Sequence, residues 1–446
     1  MAKQHDFTEG NIFKQLFIFS APIILTNLLQ ISYQFIDSLW VGNLIGPDAL
    51  GAVALSGTVI FTVLSFVIGI NNAALTILSQ QKGKGSEEGL RRYLNAFVVL
   101  LSTMSIALGF VGFMMAERIL RLLGTPDTMV EMATSYLQIN FIGMLFLFGY
   151  NFIGTVFRSV GDSKTPLYFV SIAVLLNTIL DPLFIHVFGW GIEGAAYATI
   201  LSQGVAFGTG LFITLRKKLV PFTKPHLPAR REVFDILKLG IPAGLQMSVI
   251  SAGSMAIMSV IASFGSPVVA GYGAAQRLDS LIMLPAQALG VAVNSMAGQN
   301  IGAGKWDRVH RITFYGFIYN LVVMLVLASV MFLFATYGIR LFIKEPEAAE
   351  FGTKYLKAVA FFYPFLGINF ILNGTVRAAG AMFQVLVLNI ISFWVLRYPI
   401  TYLLSSVYGE DGIALGIGIS FAISSVFAFL YYRFGRWQKA PVFGDE

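Results

Sequence analysis

Residues 16–37 read LFIFSAPIILTNLLQISYQFID. Twenty-one uncharged residues precede Asp37, enough to cross a hydrocarbon core of about 30 Å at about 1.5 Å per residue. Pro22 stands near the start of the run. Residues 239–257, LGIPAGLQMSVISAGSMAI, repeat the pattern, with Pro242 in the matching place. A membrane helix that occurs twice implies a polytopic chain built by duplication.

The whole chain agrees. Of 446 residues, 56% are hydrophobic and 12% charged, and the mean hydropathy is +0.75. A soluble domain, a disordered chain and a disulfide-stapled secreted module are excluded on that balance. Cysteine is absent and only four histidines occur, so thiolate metal sites and cysteine nucleophiles are ruled out. The N-terminus lacks the pattern of a cleavable signal, so the first span is expected to be retained.

Reading between charges gives spans at 16–36, 49–81, 93–116, 132–157, 165–180 and 194–215. A second set covers 239–276, broken at Gly265-Ser266-Pro267 and continued by 280–304, then 312–339, 358–376, 378–396 and 412–432. Period-2 alternation is missing, so the expected fold is all-α, with twelve transmembrane helices in two pseudo-symmetric six-helix lobes. The expected domains are 1–215, a cytoplasmic linker at 216–238, and 239–446. Lys and Arg gather on one side (Lys3, Lys14, Lys82, Lys84, Arg91, Arg92, Arg158, Lys164 and the linker), which predicts that both termini are cytoplasmic. The net charge of +7 reflects this asymmetry rather than nucleic-acid binding.

The halves align beyond their first helices. Gly46-Pro47 matches Ser266-Pro267, Gln80-Gln81 matches Gln299-Asn300, and Gly154-Thr155-Val156 matches Gly374-Thr375-Val376, all at offsets of 219–220. The offset drifts to 217 where Asp181-Pro182 meets Tyr398-Pro399. An even number of spans per half gives parallel repeats related by an axis along the membrane normal, an architecture of transporters.

Ionisable residues inside a bilayer cost about 2.5–3.5 kcal/mol on insertion scales and mark function. Gln30, Tyr33, Gln34 and Asp37 form a polar stripe on the first span. Asn177 and Asp181 share a face of the fifth. Two carboxylates brought together there resist double ionisation and can take up a proton or a cation. The repeat partner of Asp37 is Ile257, so the acid pair belongs to the first half alone. Arg277 and Asp279 interrupt the eighth span as a structural charge network or a substrate contact. Arg397 reads as a residue snorkelling towards an interface. No nucleotide-binding loop, catalytic elbow or metal-ligand spacing appears, so no enzyme chemistry is expected and energy must come from an ion gradient.

As a set, Pro22, Asp37, Asn177-x-x-x-Asp181-Pro182 and the paired glycine-rich segments resemble the multidrug and toxic compound extrusion (MATE) family. They are closest to its prokaryotic branch around DNA-damage-inducible protein F. The resemblance implies a V-shaped pair of lobes and antiport of cationic or amphipathic drugs against H⁺ or Na⁺. It implies no other cofactor, and a monomer in the cell (inner) membrane. It places the cation-coupling network on Gln30, Tyr33, Asp37, Tyr136, Asn151, Asn177, Asp181 and Thr199. Asp37, Asn177, Asp181 and Thr199 would be the ligands if the ion is Na⁺. Pro22 would be the hinge, and Gln34, Met144 and Arg277 candidate substrate contacts. Two alternatives stand beside it: a lipid-linked oligosaccharide flippase of the same superfamily, and a non-transporting receptor or scaffold.

Overall fold

The computed structural model describes residues 6–217 and 220–439, so Lys3 and Lys218 of the charge count lie outside the described residues. Among the described residues the regular structure is helical throughout. The first half comprises α1 (Ile12–Leu44), α2 (Pro47–Gly83), α3 (Glu87–Leu122), α4 (Asp127–Ile142), α5 (Met144–Ser159), α6 (Lys164–Pro182) and α7 (Gly191–Lys217). The second comprises α8 (Arg230–Ala262), α9 (Ser266–Gly302), α10 (Trp306–Phe342), α11 (Pro346–Ala360), α12 (Tyr363–Ala378), α13 (Met382–Ile390), α14 (Tyr398–Tyr408) and α15 (Asp411–Phe434). Counting the α4–α5 and α11–α12 pairs, bent by 51° and 55°, as one span each gives twelve spans.

The repeat extends to these irregularities. α1 and α8 are both 33 residues long, and α2 and α9 both 37. The fourth span of each half is the bent one. The fifth of each passes through a π-helical stretch, Leu183–Val187 after α6 and Ile391–Arg397 between α13 and α14. The turns match in backbone conformation as well: Gly85 and Gly304 have φ of 68° and 71°, and Gly161 and Gly380 have 88° and 87°. These left-handed values are open to glycine at little cost, which explains why the same residue recurs at a constant offset.

The chain forms two compact units, one of Ala21–Lys238 and one of Asp6–Ser20 with the residues from Leu239 onward. In the first, α2 packs on α3, α4 and α5, while α7 packs on α4, α5 and α6. In the second, α9 is central, against α10, α11 and α12. Its apolar window is 72% buried, against 17% for α10, whose Leu325, Val326 and Leu333 face outwards. α9 and α12 touch backbone to backbone: a Cβ on Gly374 would lie 2.5 Å from the Gly290 carbonyl oxygen. The segment ahead of α1 belongs to the second unit. Phe7 is fully buried there; its N–H donates to Gln299 Oε1 (3.3 Å), and its carbonyl accepts from Asn300 Nδ2 and Arg308 Nε (both 2.9 Å).

Several boundaries differ from the sequence reading, each for a physical reason. α1 continues past Asp37 to Leu44, so Asp37 lies within the helix rather than capping it. α6 runs through Asp181-Pro182 into its π turn, because Pro182 removes one N–H without reversing the chain. The tenth span begins at Pro346 instead of 358. Its first turns carry Glu347, Glu350 and Lys354 on an exposed face, with a Glu350–Lys354 ion pair at 2.9 Å. The eleventh runs through Arg397 to Tyr408. Arg397 is therefore internal: its guanidinium lies over the rings of Phe393 (3.8 Å) and Phe421 (4.6 Å), and its Nε donates to Ser420 Oγ (3.2 Å). It does not snorkel from a helix end.

Candidate ion-coupling site

The site lies wholly within the first unit, among α1, α4, α6 and α7. The α1 stripe brings Tyr33 and Asp37 inwards one turn apart. From α6 come Asn177 and Asp181, both fully buried, while Asp37 is 7% exposed. Asn177 Nδ2 donates to Asp181 Oδ1 at 3.1 Å. The Asp37 and Asp181 carboxyl groups face each other directly. From α4, Tyr136 is buried within electrostatic reach of both acids and neighbours Asn140, four residues on. From α7, Thr199 approaches the Tyr33 hydroxyl without closing a hydrogen bond of good geometry.

Five buried oxygens at this point have no hydrogen-bond partner: Asp37 Oδ1, Asp181 Oδ2, Asn177 Oδ1, Thr199 Oγ1 and Tyr33 Oη. Buried polar atoms are nearly always paired, so an orphaned cluster calls for a ligand. Oxygen donors suit a hard cation, and facing carboxylates equally suit a shared proton. No Lys or Arg acts on the two acids among the described residues. The site is thus a pair of carboxyl groups enclosed in an apolar bundle.

Other sequence candidates fall elsewhere. Gln30 and Asn151 lie beside Tyr150, away from the acid pair, and Asn151 Nδ2 donates to the Leu147 carbonyl at 2.8 Å. Pro22 is buried inside a continuous α1, where Thr26 Oγ1 donates to the Pro22 carbonyl at 2.7 Å. Gln34 is exposed. Met144 is 1% exposed at the α4–α5 break, against Gly109 of α3. In the second unit, Arg277 is exposed on α9, with its guanidinium 5.5 Å from the Phe342 ring. Asp279 turns away from it and accepts from Tyr355 (3.4 Å) and, closely, from Tyr363.

Sequence reasoning missed Tyr150, Asn140 and Ser202, whose buried hydroxyl also lacks a partner. Ser202 could have been found as the residue one turn after Thr199. Tyr150, one of seventeen tyrosines, carries no such signal.

A family model described as MatE matches residues 22–183 and 242–403, one match in each repeat. Over 444 residues, the full length of both chains, the protein is 62% identical to "Probable multidrug resistance protein YpnP" of Bacillus subtilis (strain 168). It is 30% identical to "Probable multidrug resistance protein YoeA" of the same organism, covering 98% of this chain and 96% of that one. In fold it resembles a crystal structure of the Vibrio cholerae MATE transporter VcmN, with a TM-score of 0.90 at 23% identity over 95% of this chain and 96% of the other. With the twelve spans, the internal repeat and these matches together, the chain belongs to the MATE family of membrane transporters, which are not enzymes.

Proposed function

We propose that the protein is a secondary antiporter that exports cationic or amphipathic small molecules in exchange for H⁺ or Na⁺ entering at the Asp37–Asp181 pair. The observation that carries this reading is the facing pair itself, buried with orphaned oxygens and, among the described residues, no Lys or Arg acting on it. Neutralising the pair by a proton, or bridging it by Na⁺, removes the repulsion between α1 and α6. That lets α1 change shape at Pro22, where the helix lacks one backbone hydrogen bond. An ion drives export only by binding two conformations unequally, and a site whose oxygens are incompletely satisfied in one of them provides that difference.

The names of the curated relatives support multidrug export as the cargo class. The asymmetry of Lys and Arg supports cytoplasmic termini in a cell-membrane protein. The test is uphill efflux of a fluorescent organic cation from proteoliposomes under an imposed pH or Na⁺ gradient. Efflux that needs neither gradient would refute antiport.

A further inference from the structure

Arg397 has no part in the coupling site, yet it is placed where a charge needs a reason. Its span runs from Met382 to Tyr408, which puts it about 16 Å or more from either end at about 1.5 Å per residue. A guanidinium at that depth keeps its charge and is retained only with partners or a task. Its own partners are few. The Nε group donates to Ser420 Oγ at 3.2 Å, and the plane lies over the rings of Phe393 (3.8 Å) and Phe421 (4.6 Å). Ser420 is fully buried, so the side chain enters the unit rather than the lipid. Among the described residues, the N–H groups of its terminal nitrogens have no acceptor and no carboxylate is ion-paired with it. Asp279, the acid within α9, is taken by Tyr355 and Tyr363 instead.

The wall beside the guanidinium adds a second donor. Ser424, one turn beyond Ser420 on α15, donates to Ser392 Oγ at 2.7 Å. Ser392 stands five residues before Arg397, one hydrogen-bonded step of the π-helical stretch Ile391–Arg397. Its own hydroxyl proton is left to donate elsewhere. None of the residues of that stretch is buried, so the donors lie on a segment open to entry. The repeat sharpens the contrast. At the offset of 217, Arg397 and Tyr398 stand where the first unit has Leu180 and Asp181, and Ile257 stands for Asp37. Corresponding places thus carry a pair of acids in one unit and a cation without an acid in the other.

We propose that Arg397, with Ser392, anchors the anionic group of an exported amphiphile, a carboxylate or a phosphate, so that zwitterionic molecules are cargo beside cations. The inference deepens the export reading above and rests on it. A guanidinium grips an oxyanion through two parallel N–H bonds, and a fork already clamped between two rings has little left to order on binding. A cation gains nothing from these donors, which makes Arg397 a determinant of which cargo is accepted.

Equilibrium binding to the detergent-solubilised full-length protein, read by fluorescence anisotropy, tests the site without transport. The probes are rhodamine B, a zwitterion with a free carboxylate, and its ethyl ester, the same cation without the acid. Arg397→Gln is expected to weaken rhodamine B binding about tenfold or more, the size of a lost charged hydrogen bond, and to leave the ester within about twofold. Arg397→Lys keeps the charge but loses the fork, and is expected to fall between parent and Arg397→Gln. Equal losses for both dyes, or none for either, overturn the proposal. If Arg397→Gln does not fold, Ser392→Ala decides: a several-fold loss for rhodamine B alone supports the site, and unchanged rhodamine B binding overturns it. An anionic lipid headgroup offers the same chemistry, so binding is repeated in nanodiscs of phosphatidylcholine with and without phosphatidylglycerol. The Arg397 dependence is expected in both. Its loss with phosphatidylglycerol assigns the site to lipid and overturns the cargo role. Rhodamine B bound through Arg397 in a protein without gradient-driven efflux refutes antiport alone. Gradient-driven efflux of the ester, with both dyes indifferent to Arg397→Gln, refutes this site alone.

Discussion

Asn177 donates from Nδ2 to Asp181 Oδ1 across one turn of α6 at 3.1 Å, while its own amide oxygen is left without a partner. The amide thus fixes one acid and turns an acceptor towards the place where a cation would sit. Hydrogen bonds to charged groups contribute about 1.5–3 kcal/mol. Asn177→Ala is therefore expected to weaken ion binding roughly tenfold to a hundredfold, on the conversion of about 1.4 kcal/mol per factor of ten. The measurement is the ion concentration, or pH, at half-maximal efflux. An unchanged half-point would mean that the amide has no part in ion binding.

Asp37→Asn removes the titratable charge at almost constant volume. Insertion is expected to survive, because a neutral amide costs less than a carboxylate in lipid. Gradient-driven efflux is expected to fall to the level of empty liposomes, with dye binding to detergent-solubilised protein retained. Variant protein that still couples either gradient to uphill efflux would remove Asp37 from the mechanism.

Much of this is legible in the sequence because a charge within an apolar run shows its position without any coordinates. Asp37 and Asp181 stand out that way, and the constant offset between halves reveals the repeat. Helix bends are not legible: the fourth span reads as one unbroken apolar run across Gly143, yet it turns by 51°. The start of α11 is hidden by its own solvated face, since Glu347, Glu350 and Lys354 mimic a loop. Arg397 misleads because an arginine near the end of an apolar run looks like a boundary. Only the structure shows that Phe393, Phe421 and Ser420 take it in. Tyr150 and Met144 illustrate the limit for uncharged residues, whose partners lie on other helices and leave no mark on local spacing.

Close packing in the second unit gives a prediction independent of transport chemistry. The Cβ of Gly374→Ala would lie 2.5 Å from the Gly290 carbonyl oxygen, which is backbone and cannot rotate aside. Forced repacking of this kind typically costs about 1–3 kcal/mol. Lower melting temperature and lower yield of monodisperse protein are expected. Gly57→Ala on α2, whose new Cβ would meet no atom within 4 Å, is expected to be tolerated. Equal stability of the two variants would contradict the α9–α12 contact.

Asp279 supplies the contrast to Asp37. Both are carboxylates within apolar helices, but Asp279 is fully provided for by its own unit. Tyr355 and Tyr363 donate to its two oxygens, Tyr355 packs edge-to-face on Tyr272 with ring centres 5.2 Å apart, and Gln276 Nε2 holds the Tyr272 hydroxyl at 3.1 Å. Neither oxygen of Asp279 is among the orphaned atoms that surround Asp37 and Asp181. A satisfied network of this kind stabilises a fold, and losing one member leaves its partners unpaired at about 1–3 kcal/mol each. Asp279→Asn keeps one acceptor but turns an NH₂ group towards a tyrosine hydroxyl. It is expected to lower the melting temperature by several degrees and to leave the ion dependence of the surviving efflux unchanged. Tyr363→Phe is expected to do the same to a smaller extent, because the carboxylate keeps Tyr355. If instead Asp279→Asn protein melts like the parent but shifts the half-maximal pH or Na⁺ concentration of efflux, Asp279 belongs to a second coupling site, and the tyrosines around it are its gate rather than its support.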